Sequence, residues 1–159
     1  MLSRLDSAFE NMTRPTYSVA LWPLRLALAG IFLYHGLGKL MMPEMAAMMG
    51  LSQPVWLLVA AAEVLGGTGF VVGGLLQGAA GAVITRLAGL AIIPVMLGAI
   101  VMVHWGQWNF VASQTHPMGG MEFQVLILSV AIYALLTGFA RVTQEQAYTA
   151  PKPMGSQRT

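Results

Sequence analysis

The stretch VAAAEVLGGTGFVVGG, residues 59–74, decides the fold. It is built from small and apolar residues with one carboxylate, Glu63, near its start. No polar stripe runs along it, so as a helix it is apolar all round, which belongs in a large core or in a bilayer. The whole chain favours the bilayer. Of its 159 residues 57 % are hydrophobic and only 9 % charged, whereas a soluble domain carries about 25 % charged residues. So few charges cannot cover an aqueous surface.

Outward from this stretch, apolar segments fall at about 19–41, 55–76, 82–104 and 122–140. Each is long enough, at 1.5 Å per residue, to approach the roughly 30 Å of a hydrocarbon core. Helices satisfy their own backbone in lipid. The expected fold class is therefore an all-α integral membrane protein, a bundle of four transmembrane helices over residues 19–141. Residues 1–18 read as an interfacial amphipathic helix: Leu2, Leu5, Phe9 and Met12 share a face, Ser3 and Asp6 resemble a capping pair, and Pro15 ends it. Residues 142–159, with Pro151, Pro153 and Gly155, read as a flexible tail. The first apolar segment is too long, and starts too late, for a cleaved signal.

Basic residues set the orientation. Arg4, Arg14, Arg25, Arg86, Arg141, Lys152 and Arg158 fall on one side and Lys39 alone on the other. The positive-inside rule then puts both termini in the cytoplasm and loops 42–54 and 105–121 outside. Pro43 stops the first helix, Pro54 suits the first turn of the second, and Pro94 should bend the third. The pairs Gly69/Gly73 and Gly74/Gly78 have the small-xxx-small spacing that lets helix backbones approach.

In this arrangement His35, Lys39, Glu63, His104 and Glu122, drawn from all four helices, belong to the outer half of the bundle. Several have a purely structural explanation. His35, Lys39 and His104 near helix C-termini, and Glu122 at an N-terminus, complement the helix dipole. Trp105 and Trp108 suit an interfacial belt. Arg25 and Arg86 are expected to snorkel or to pair with lipid phosphates. Glu63 resists such a reading: it lies roughly 13 Å below the outer end of its helix, where a charge is costly. It is expected to face inward, paired with Lys39 or His35, or else to be protonated.

Five blocks, FLYHGLGKL (32–40), AAAEVLGG (60–67), TRLAGLAI (85–92), MLGAIVMVHW (96–105) and GGMEFQVLIL (119–128), closely resemble the DoxX family, over about residues 22–142. The resemblance implies a four-helix protein of the prokaryotic cytoplasmic (inner) membrane, with relatives among the subunits of thiosulfate:quinone oxidoreduction. By motif position, His35, Lys39, Glu63, Arg86, His104 and Glu122 would be its polar positions.

Two functions compete. In a quinone-linked oxidoreductase subunit, His35 or Lys39 would donate to a quinone oxygen, Glu63 and Glu122 would move protons, and Trp105 would stack on the ring; Arg86 and His104 would complete the ligand-binding set. Electrons would come from partner subunits, because a chain without cysteine has no dithiol relay and no cysteine-ligated cofactor. In a scaffold or assembly subunit, the same cluster would fix helix register. A haem between His35 and His104 is not expected, since the two lie at different depths, and neither is a metal at His104 and His116. Paired broken helices, the mark of a small transporter, are not seen. A net charge of +2 gives no reason to expect nucleic acid as a partner.

Overall fold

The computed structural model describes residues 19–76 and 78–139. The amphipathic segment and the tail expected at the two ends lie outside these residues. The described chain is all helical: α1 Trp22–Met41, a single turn α2 Met45–Met48, α3 Gln53–Leu75, α4 Gly78–Ala99 and α5 Glu122–Thr137. A π-helical turn, Ile100–His104, prolongs α4.

Local chemistry accounts for the boundaries. Pro23 and Pro54 sit in the first turns of α1 and α3, where a missing N–H costs nothing. Pro43 follows α1, whose last backbone bond runs from Met42 N–H to the Gly38 carbonyl at 3.1 Å. Gly138 ends α5 in the left-handed region, with φ 65°, and its N–H closes on the Ala134 carbonyl at 2.7 Å. Pro94 lies inside α4, which continues through it as a helix. The helix α4 begins four residues earlier than its apolar pattern suggests. Its first turn, Gly-Ala-Ala-Gly, has weak helix propensity but close packing: a methyl group on Gly81 would collide with the Leu76 and Gly73 carbonyls. Tertiary contact with the end of α3 overrides local preference there.

Helices α1, α3, α4 and α5 pack in chain order, each against the next. The glycines of α3 serve two different neighbours. A Cβ on Gly66 would lie 2.6 Å from Ile92 Cδ1, and one on Gly69 2.9 Å from the Ala88 methyl, both on α4. A Cβ on Gly67 would meet Leu33 and Phe32 of α1 at 3.2 Å. Gly69 and Gly73 therefore form the expected packing pair, within the bundle. Gly74 and Gly78 do not: Gly74 faces Arg25, and Gly78 opens the turn between helices with φ 65°. The apolar core gathers Leu28, Phe32, Phe70, Ile92, Met96 and Ile127.

The outer surface is the reverse of a soluble protein's. Leu58, Leu65, Leu87, Leu126 and Leu136 are exposed, while Arg25, Glu63, Thr85 and His104 are buried. Two helices, Gln53–Leu75 and Gly78–His104, are long and apolar enough to cross a membrane, and only 33 % of the most apolar window of each is buried within the chain. A soluble core helix would be mostly buried. The helix α5 is apolar too, but shorter, at 16 residues.

Candidate functional site

The deep carboxylate of α3 has found its partner on α1. Lys39 Nζ donates to both oxygens of Glu63, at 2.9 and 2.8 Å. The carboxylate side is the more enclosed, with side-chain exposures of 5 % for Glu63 and 19 % for Lys39. Gly36 lets the two groups meet. A methyl group there would lie 2.8 Å from Val64 Cγ2 and 3.0 Å from Glu63 Cβ. Only a hydrogen at position 36 lets the backbones of α1 and α3 come this close.

Trp56 completes this cluster. Its indole N–H donates to the Lys39 carbonyl at 2.9 Å, satisfying one of the carbonyls that the end of α1 leaves open. Its ring lies 5.6 Å from Lys39 Nζ, within reach of a cation–π attraction. An ammonium has three hydrogens. Two point at Glu63, and among the described residues no acceptor takes the third.

His104 forms a separate cluster. Its Nδ1 lies 2.9 Å from the Gly119 carbonyl, which can only accept, so Nδ1 carries the proton. Nε2 then accepts from the Gln124 amide at 3.0 Å. The π-helical turn ends at His104, and the imidazole ties the end of α4 to the start of α5. Gln124 Oε1 is buried with no partner among the described residues. No hydrogen bond or ion pair joins this cluster to Lys39 and Glu63 among the described residues, so the expected polar set divides into two.

The remaining candidates lie elsewhere. Glu122 is half-buried and accepts from the Phe110 N–H at 3.0 Å, holding the outer loop to the first turn of α5. His35 is exposed, edge-on to Tyr34 with ring centroids 5.4 Å apart. Arg86 and Trp105 are exposed. His116 donates from Nε2 to the Trp105 carbonyl at 2.7 Å and accepts at Nδ1 from the Thr115 hydroxyl at 3.0 Å. The imidazoles of His104 and His116 are thus each held by a backbone carbonyl. Loop 105–121 is organised by Gln107, which donates to the carbonyls of Asn109 and Val111 and accepts from Ser113.

Arg25 corrects an expectation. It neither snorkels outward nor lies on the surface; it is buried between helices. Nη1 donates to the Phe70 carbonyl at 2.7 Å and to Thr85 Oγ1 at 3.0 Å, and the guanidinium carbon lies 4.9 Å from the centre of the Phe139 ring. Thr85 in turn donates to the Gly81 carbonyl at 2.9 Å. Trp56, Thr85, Gln107 and Gln124 carry this polar framework without belonging to any motif. The capping roles of Trp56 and Gln107 have no one-dimensional signature, but Thr85 and Gln124, polar within apolar segments, are visible as anomalies.

A bundle with an apolar outer surface and charged groups within it defines the class: an all-helical membrane protein. Residues 20–105 match the family model described as DoxX. That is more than half of the chain, which belongs to the DoxX family. Neither the curated proteins nor the solved structures contain a match to it.

Proposed function

We propose that this DoxX-family chain is a four-span subunit of a quinone-linked oxidoreductase in a prokaryotic cytoplasmic membrane, with both termini on the cytoplasmic side. The 20 residues of α1, with two charged groups partnered inside the bundle, and the 16 of α5, extended by its flanking turns, serve as the first and fourth spans. Electrons come from a partner subunit.

The observation that carries this reading is the third hydrogen of Lys39. It belongs to an ammonium that is partly open, beside an indole face and bound to a carboxylate. A quinone head group requires such a set: a donor for its oxygen, an aromatic neighbour for its ring, and a nearby acid–base group. Lys39 and Trp56 would hold the ring, and His35, one turn earlier on α1, would line the approach from lipid. When bound, the quinone would supply two-electron redox chemistry. Glu63 would keep the lysine charged and oriented, and its carboxylate would take or return a proton. Trp105 and Arg86, whose exposed side chains make no hydrogen bond among the described residues, are left out of this proposed site; so is Glu122, which serves the outer loop.

The test is lipid extraction from the purified protein, followed by quinone titration of wild type, Lys39→Gln and Glu63→Gln. The reading requires bound quinone in the wild type and its loss in Lys39→Gln. Absence of quinone from the wild type and all complexes that contain it would overturn it.

A second reading, a scaffold or assembly subunit, draws on a different observation. Arg25, His104 and His116 each donate to a backbone carbonyl of their own chain, as residues that fix helix register would. Co-purification separates the two: a scaffold holds its partners together after Lys39→Gln, with no change in the redox rate of the complex.

A further inference from the structure

Loop 105–121 is built inside out. Its large apolar side chains are bare: Trp105, Trp108, Phe110, Val111 and Met118 are each between 58 % and 67 % exposed. Single exposed apolar residues are ordinary on a protein surface, but five in one loop mark an interaction surface. Phe110, Val111 and Met118 come from neighbouring runs of the loop. The Gly120 N–H donates to the Asn109 carbonyl at 2.8 Å, and a methyl group on Gly119 would collide with the Phe110 carbonyl.

The polar groups, by contrast, bond to one another. Gln107 donates to the Asn109 and Val111 carbonyls and accepts from the Ser113 hydroxyl. Asn109 Oδ1 accepts from the Val111 N–H at 3.2 Å, and Ser113 Oγ from the His116 N–H at 3.1 Å. The Met121 and Glu122 N–H groups donate to the Gln107 and Trp108 carbonyls at 3.0 and 2.9 Å. The Ser113 N–H closes a turn on the His116 carbonyl at 3.0 Å. In that turn Gln114 is exposed and makes no hydrogen bond among the described residues. Internal bonding of this kind lowers the cost of taking a backbone out of water.

An apolar surface can meet protein or lipid, and three observations favour lipid. No Asp, Glu, Lys or Arg stands between Arg86 and Glu122, so nothing on the loop calls for bulk water or for an oppositely charged partner. The bare surface continues that of the bundle: Val101 and Met102 before the loop, and Phe123 and Leu126 after it, are exposed too. Finally, the 16 residues of α5 measure about 24 Å as a helix, short of the roughly 30 Å of hydrocarbon. If α5 spans, the residues just before it lie at the membrane surface rather than above it.

We propose that loop 105–121 is seated on the membrane. Its backbone stays at head-group level, the side chains of Phe110, Val111 and Met118 reach the acyl chains of the adjoining leaflet, and the 113–116 turn stays among the head groups. This goes beyond an aromatic belt of Trp105 and Trp108, and it replaces a loop in water with one held by lipid. The seat rests on the four-span arrangement proposed above, and not on what binds at Lys39.

The chain has no cysteine, so single cysteines can carry nitroxide labels without background. The experiment labels Val111→Cys, Met118→Cys, Gln114→Cys and Leu126→Cys in the full chain, in vesicles of phosphatidylcholine and phosphatidylglycerol. Power-saturation EPR then compares access of oxygen, which concentrates among acyl chains, with access of a water-soluble nickel chelate. The oxygen-to-nickel ratio at 111 and 118 should approach that at 126 on α5 and exceed that at 114. Should either variant fail to fold, Phe110→Cys takes its place. A ratio at 111 and 118 no higher than at 114, with 126 among lipid, would overturn the seat and leave the fourth span standing. An aqueous reading at 126 would overturn both. Exclusion of both reagents from 111 and 118 would show that protein covers the loop, and would overturn lipid as its occupant.

Discussion

Lys39 Nζ sits between the two carboxylate oxygens of Glu63, at 2.9 and 2.8 Å, and this pair joins α1 to α3 inside an otherwise apolar interface. The contact explains how an acid is tolerated in the middle of an apolar helix. It is neutralised by a lysine whose own helix comes within van der Waals distance, and the two charges face each other rather than lipid.

That distance depends on Gly36. Replacing it with leucine should separate α1 from α3, because even its Cβ would lie 2.8 Å from Val64 Cγ2 and 3.0 Å from the Val64 backbone nitrogen. The expected cost of such overpacking is about 1–3 kcal/mol or more, seen as a lower melting temperature in detergent. Gly30 is the control. Nothing lies within 4 Å of a Cβ there, so Gly30→Ala should be neutral or stabilising by up to about 1 kcal/mol.

Thr85 tests the buried cation Arg25. Thr85→Val preserves the shape and removes the oxygen that accepts from Arg25 at 3.0 Å. It should destabilise the protein by about 1.5–3 kcal/mol, the range for a hydrogen bond to a charged group. Thr85→Ser keeps the oxygen and should recover most of this, so comparing the two variants separates the hydrogen bond from packing.

His104 holds the outer loop. Its Nδ1–H donates to the Gly119 carbonyl, and the adjacent backbone bonds run from Gly120 N–H to Asn109 and from Met121 N–H to Gln107. His104→Ala should cost about 1–3 kcal/mol, through the carbonyl and amide left without a partner. Amide hydrogen exchange should accelerate across 105–121 and remain slow in the glycine-lined interface of α3 with α4.

Much of this arrangement is legible in the sequence, and the exceptions share a cause. The long helices follow from apolar length, and inward pairing of Glu63 follows from the cost of a charge at its depth. Sequence gives depth along a helix but not what lies opposite. Arg25 is near a helix start, which suggests an outward reach; it turns inward because Gly74 makes room and Phe139, after a left-handed glycine, folds back over it. His104 ends a π-helical turn and bonds to Gln124 of α5 rather than to the Lys39–Glu63 pair. Loop 105–121 carries Pro117, Gly119 and Gly120, and Gln107 and His116 bond it into one unit.

The most direct test of the account is a charge-exchange cycle on the ion pair, with Lys39→Glu, Glu63→Lys and both together melted in the same detergent. Each single change leaves two like charges in an enclosed place and should destabilise by about 3–5 kcal/mol. The account predicts that the double exchange, which restores opposite charges across α1 and α3, recovers at least half of the summed loss. If the losses instead add, the two side chains do not meet, and the site built on them is wrong.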